Sequence, residues 1–178
     1  SDVYKRQVLS GGFLSDGITD LAVSPDTNKI FYLLASPSGA FGTLANPDGS
    51  GKQTIFSSPL KDWLPSWGSN ARIFLSSKPA ASIEGIGNIL RTSGVVTKEL
   101  DNIPGLTGLL NRSSDRLLYA QSTNSNEIGL RLHIVGDTGD DRSIVLRTLP
   151  EKCVWSDAER EIAYCGAPRI LPIGTYPD

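Results

Sequence analysis

The stretch Ser24-Pro25-Asp26-Thr27-Asn28-Lys29-Ile30-Phe31-Tyr32-Leu33-Leu34 returns near the other end of the chain as Trp155-Ser156-Asp157-Ala158-Glu159-Arg160-Glu161-Ile162-Ala163-Tyr164-Cys165. Both are a polar turn followed by a nearly continuous apolar run. Working outward, the larger segments Leu21 to Leu34, Pro65 to Leu75, Leu109 to Ala120 and Cys153 to Cys165 share one pattern of apolar strand, short turn, apolar strand. Their anchors Val23, Trp67, Asn111 and Trp155 are 44 residues apart, and Ile30, Ile73, Leu117 and Ile162 recur at steps of 43, 44 and 45. Asn111 is the irregular member.

A second marker falls later in each unit. Gly49, Gly94 and Gly139 are 45 residues apart, each inside a cluster of turn-forming residues that reads as a hairpin. After each comes a short strand: Thr54-Ile55-Phe56, Val95-Val96-Thr97 and Ser143-Ile144-Val145-Leu146, with Val8-Leu9 fitting as the remnant of a preceding unit. One unit is therefore four short strands in about 44 residues, the length of a propeller blade. The second strands lack the period-2 alternation of a sheet with one wet face, as expected of a strand covered on both sides. A two-sheet sandwich also uses short strands with frequent turns, but its strands need not repeat at this interval. The spacing predicts an all-β chain: a partial β-propeller of about three four-stranded antiparallel blades plus the first hairpin of a fourth. The units fall at about 18–59, 60–103, 104–148 and 149–178, in one domain spanning 8–178.

The chain has 178 residues, 39% hydrophobic, with 18 glycines and no methionine, a composition that supports one folded core. Residues 1–7, Ser1-Asp2-Val3-Tyr4-Lys5-Arg6-Gln7, resemble a sequencing-adapter artefact and are set aside as a non-native leader. Net charge is −2, with no basic block, so nucleic acid is excluded as an expected partner. The longest uncharged run, Ile30 to Pro47, is broken by Pro37, Gly39, Gly42 and Pro47 and predicts no membrane span. Three units and a hairpin are fewer than the four to eight blades of a closed ring, so the chain reads as an excerpt. An open blade face predicts self-association of the isolated chain.

Ser24-Pro25-Asp26 before Lys29-Ile30-Phe31-Tyr32, and Trp155-Ser156-Asp157 before Glu161-Ile162-Ala163-Tyr164, resemble the Trp-Ser-Pro-Asp-Gly signature of TolB-like (WD-type) propeller repeats. Asp48-Gly49-Ser50 is similar to that family's third-turn signature. Trp67-Gly68-Ser69 and Asn111-Arg112-Ser113 lack parts of the motif, and the glycine expected after the acid is Thr27, Arg116 and Ala158. The resemblance covers about residues 18–165. It implies a platform for binding proteins, peptides or glycans, or an accessory domain of a peptidase.

No residue set specifies catalysis. His133, the only histidine, lies in the alternating strand Leu130-Arg131-Leu132-His133-Ile134-Val135 without a nucleophile or orienting acid evident in sequence. There is no Gly-x-Ser-x-Gly elbow. Gly49-Ser50-Gly51-Lys52-Gln53-Thr54 departs from a phosphate loop at Gln53 and reads as a turn. Asp137-Thr138-Gly139-Asp140-Asp141 departs from calcium-loop spacing and reads as a solvated turn. No cofactor or metal is expected, and no Cys and His spacing suggests zinc. Asn111-Arg112-Ser113 is the only glycosylation triplet pattern. Cys153 and Cys165 fall near one another if their segment forms a hairpin, as a disulfide or as two buried thiols, and an oxidising compartment favours the bridge. Trp63, in the connection Leu60-Lys61-Asp62-Trp63-Leu64-Pro65, is expected to be exposed on a rim as a binding anchor; Trp67 and Trp155 are expected to pack. The leading function is a non-enzymatic scaffold for a protein or surface polymer, with an extracytoplasmic or cell-surface setting. The alternative is the substrate-gating propeller of a larger serine hydrolase. A carbohydrate-binding or lyase propeller ranks behind both, lacking a band of aromatic and acidic residues.

Overall fold

The structure, a computed structural model, describes residues 14–69, 71–80, 83–123, 130–136, 139–159 and 161–169. The Val8-Leu9 strand, the leader, and part of the Asp137 to Asp141 turn lie outside the described residues. Three four-stranded antiparallel sheets follow one another along the chain. The first holds β1 (Ile18–Val23), β2 (Ile30–Ser36), β3 (Gly39–Ala45) and β4 (Gln53–Ser58) in that spatial order. The second holds β5 (Trp63–Trp67), β6 (Arg72–Ser77), β7 (Glu84–Arg91) and β8 (Val96–Pro104). The third holds β9 (Thr107–Leu110), β10 (Leu117–Ser122), β11 (Leu130–Val135) and β12 (Asp141–Ile144). A 3₁₀ turn, Pro150–Lys152, leads to the two-stranded β13 (Cys153–Trp155) and β14 (Ala163–Cys165). This is the partial propeller that the repeat predicts. No described helix is long and apolar enough to cross a membrane.

Within each sheet every strand pairs with the next in sequence, and tight turns mark several of these connections. Gly49, Gly94 and Gly139 all take positive φ, 80°, 89° and 72°, the left-handed conformation glycine adopts without steric cost. Thr27 takes φ of 61° at the motif's glycine position, an uncommon conformation for a β-branched residue. The turn is held by the Thr27 amide donating to the Ser24 carbonyl at 2.8 Å and by Ser24 and Asn28 donating to the Asp26 carboxylate.

The second strands explain the stacking. Because successive side chains point to opposite faces, Ile30 and Tyr32 face backward while Phe31 and Leu33 face the second sheet. Ile73 and Leu75 pack back against the first sheet, and Phe74 forward against the third. Leu117 and Tyr119 pack back on Phe74, and Leu118 and Ala120 forward on Trp155. The core is thus a series of inter-sheet layers. Leu33 pairs with Gly42 and Ser76 with Gly87, and a Cβ at either glycine would strike the ring of Phe31 or Phe74. In the third sheet, Leu118 stands at the Phe position and Leu132 replaces the glycine.

The pairing also resolves the irregular anchor. Val23 pairs with Ile30, Trp67 with Ile73, Leu110 with Leu117 and Trp155 with Ala163. Leu110, not Asn111, is therefore the third anchor, and Ala163, not Ile162, begins the fourth second strand, because the intervening turns differ in length. Asn111 takes the Ser24 place: its amide donates to the Arg116 carbonyl as that of Ser24 does to Lys29. Two outer strands also differ from expectation. β8 runs nine residues to Pro104, whereas β12 ends at Ile144 and leaves Val145 96% exposed.

Ion pairs join successive sheets at the turn end: Arg72 meets Asp115, and Arg116 meets Glu161 at 2.8 Å. The β13–β14 hairpin packs on the third sheet through Cys153, Trp155, Ala163 and Cys165. Beside it, Leu132, Ile134, Ile144 and Leu146 line an apolar groove of about 320 Å³.

Candidate functional site: a groove across the inner strands

β1, β5, β9 and β13 are the first strands of their sheets and lie at the inner edge of the stack, each with one edge free of a strand partner among the described residues. Together they line a groove of about 380 Å³. Its depth is formed by buried Ala22, Trp67, Leu110 and Trp155, and its walls by exposed Leu21, Val23 and Val154. Val23 occupies the anchor position held by Trp in the second and fourth units. Arg112 and Asp157 add opposite charges.

Two bonds between sheets set the spacing of these strands. The Leu110 amide donates to Ser66 Oγ at 3.0 Å, joining β9 to β5. The Trp155 indole donates to the Leu109 carbonyl at 3.1 Å, joining β13 to β9. Each occupies an edge group that would otherwise need solvent. The indole of Trp67, buried at the same repeat position, has no acceptor among the described residues.

Trp63 lies elsewhere, and the expectation that it is exposed is corrected. It is the first residue of β5, 5% exposed, packed edge-on against Phe56 with ring centroids 5.5 Å apart. Its indole donates to the Leu60 carbonyl at 3.2 Å. The strand begins one residue after Asp62, so the ring turns into the layer between the first two sheets.

His133 pairs across strands with Tyr119, and their rings stack with centroids 4.8 Å apart. The Tyr119 hydroxyl donates to Asp141 at 2.7 Å, and His133 Nδ1 lies 3.3 Å from the other oxygen of that carboxylate. Burial, the Asp141 hydrogen bond and its charge push the Tyr119 phenol well above its ordinary value. His133 Nε2 is enclosed without a partner among the described residues. The cluster lies on the face of the third sheet turned to the second, away from the groove, and among the described residues no hydroxyl or thiol is hydrogen-bonded to the ring.

Cys153 and Cys165 stand directly opposite one another. The adjacent Gly166 amide donates to the Lys152 carbonyl at 2.9 Å, so the cysteines occupy the position where cross-strand side chains lie closest. In the structure their sulfurs are joined. Asn111 is 1% exposed, its side-chain oxygen accepting from Ser113, which leaves it enclosed in the turn. Among the described residues no cluster of three or more His, Cys, Asp or Glu is placed to hold a metal.

Sequence reasoning missed Arg112 and Asp157 as groove residues. With Leu110 as the third anchor, each is the second residue after its anchor, a repeat position that puts both on the same rim.

No protein-family model and no curated protein matches the sequence. Solved structures do match the fold. The β-propeller domain of the Trilobed protease from Pyrococcus furiosus, described as having an open velcro topology, superposes with a TM-score of 0.62 at 16% identity, over 86% of this chain and 51% of that one. An acylaminoacyl peptidase in complex with Z-Gly-Gly-Phe-chloromethyl ketone gives 0.60 at 10% identity, over 74% and 25%. The Pyrococcus horikoshii acylaminoacyl peptidase gives 0.58 at 11%, over 74% and 25%. The chain spans between a quarter and about half of the length of these structures. At these identities the likeness establishes a β-propeller fold.

Proposed function

We propose that this chain is a non-catalytic, TolB-like propeller segment that binds a protein or surface-polymer partner along the groove of its inner strands. The observation that carries the reading is the grouping of Leu21, Val23 and Val154, all exposed, around one concave groove over two buried tryptophans. Concave apolar surface beside a few polar groups is the usual form of a binding site. The test is a peptide and glycan array probed with the chain and with Leu21→Asp and Val154→Asp. Hits lost in both variants support the groove; hits retained at full strength in both overturn it.

A second reading is favoured by the comparisons, since the three solved structures described above come from peptidases. In it the segment orients or admits peptide substrate for a serine-hydrolase domain elsewhere in a longer protein. A serine-directed fluorophosphonate probe then labels the full gene product and not this chain. A full product carrying no reactive serine contradicts it.

A further inference from the structure

We infer that the groove reads a peptide carrying both signs of charge beside an apolar side chain, with Arg112 taking the carboxylate and Asp157 the cation. This rests on the groove reading above and adds the chemistry of its occupant. Arg112 follows Asn111 in the turn after β9, and Asp157 follows Ser156 in the turn after β13, so two successive sheets place opposite charges on one groove. Both residues are exposed. Neither has an ionic or hydrogen-bonding partner among the described residues, although the charged neighbours Arg72, Asp115, Arg116 and Glu161 at the same end of the sheets are paired.

Unpaired opposite charges on an apolar groove suit a partner that brings the complementary pair. An Arg guanidinium offers a fork matched to a carboxylate, and the Asp157 carboxylate accepts from an ammonium. Leu21, Val23 and Val154 give the apolar side chain its contact. A neutral ligand of the same shape gains the apolar contact alone, so charge complementarity sets selectivity here.

The probes are two fluorescein-labelled peptides, Leu-Val-Leu-Glu-Gly-Lys amide and its neutral counterpart Leu-Val-Leu-Gln-Gly-Gln amide, titrated against the chain by anisotropy at low salt. The charged peptide is expected to bind about 3- to 10-fold more tightly, the scale of two solvent-exposed ion pairs. The advantage should shrink in high salt as the pairs are screened, and in Arg112→Gln combined with Asp157→Asn. Equal binding of the two peptides to the unmodified chain overturns the charge reading and leaves the groove standing. No binding of either peptide overturns both readings for peptide ligands.

Discussion

The middle sheet, β5 to β8, and the hairpin β13–β14 are built on the same repeat and differ in what covers them. In the middle sheet Ile73, Phe74 and Leu75 are all fully buried, with alternate side chains committed to the sheet behind and the sheet ahead. In the hairpin, Trp155 and Ala163 pack against the third sheet, while Val154 and Tyr164 on the other face are each 62% exposed. The repeat therefore specifies strands, and neighbours on both faces turn those strands into a core. A hairpin with one covered face has about half the means of stabilising itself, and it is also the element whose cysteines stand opposite one another.

The largest effect should come from the doubly covered strand. Phe74→Ala is expected to cost about 3–5 kcal/mol in chemical denaturation, the range for large-to-small changes in a packed core. Tyr164→Ala on the open face of the hairpin should stay within about 0.5 kcal/mol. Similar costs at the two positions would erase the distinction between the regions.

Reducing the Cys153–Cys165 pair should destabilise the hairpin by about 2–3 kcal/mol in the loop-entropy account. The readout is hydrogen exchange at β13 and β14 with and without reductant. Unchanged protection after complete reduction would assign the hairpin's order to Trp155 and its packing alone.

Gly87→Ala tests the stacking geometry directly, since its Cβ would lie 2.7 Å from the Phe74 ring. A loss of about 1–3 kcal/mol is expected from overpacking. Adding Phe74→Leu should recover part of it, since the third sheet accommodates a side chain at the glycine position, Leu132, with the smaller Leu118 at the Phe position. Strictly additive losses would show that the glycine serves some other purpose.

Thr27→Gly should stabilise the chain by about 1 kcal/mol by relieving a left-handed β-branched residue, read as a rise in the denaturation midpoint. No gain would mean that the Thr27 contacts or the greater entropy of unfolded glycine offset the relief.

The smallest effect concerns acid. The Ser24 hydroxyl, and after it the Asn28 amide, hold the Asp26 carboxyl below its ordinary value. Its contribution is therefore complete above the unfolded carboxylate pKa, about 4, and is lost as pH falls through the lower folded value. Asp26→Asn should flatten that acid limb of a stability–pH curve without altering the curve at neutral pH beyond a constant offset.

Much of the fold was legible because period and turn chemistry are local. Gly49, Gly94 and Gly139 announced their turns by composition alone, and the unbroken run Ile30 to Leu34 announced a strand covered on both faces. The one-residue slip at Asn111 was not legible, because turn length between paired strands varies and only the pairing with Leu117 distinguishes Leu110 as the anchor. Trp63 misled because the sequence marks where a connection ends only to within a residue or two, and that margin separates a rim from a core. The groove was hidden for a related reason: Leu21, Leu110 with Arg112, and Asp157 come from three different units, and no local pattern says that the first strands converge. Once Leu110 is aligned with Trp155, the repeat position of Arg112 and Asp157 becomes readable.

The most direct test of sheets stacked face to face is residue-resolved hydrogen exchange across the whole chain. The slowest amides should lie in the second strands β2, β6 and β10, with β6 at or near the maximum, and β14 should exchange much faster. If β6 exchanges as fast as β14, or if protection is greatest in the outer strands β4, β8 and β12, the doubly covered sheet is not the unit that holds this protein together.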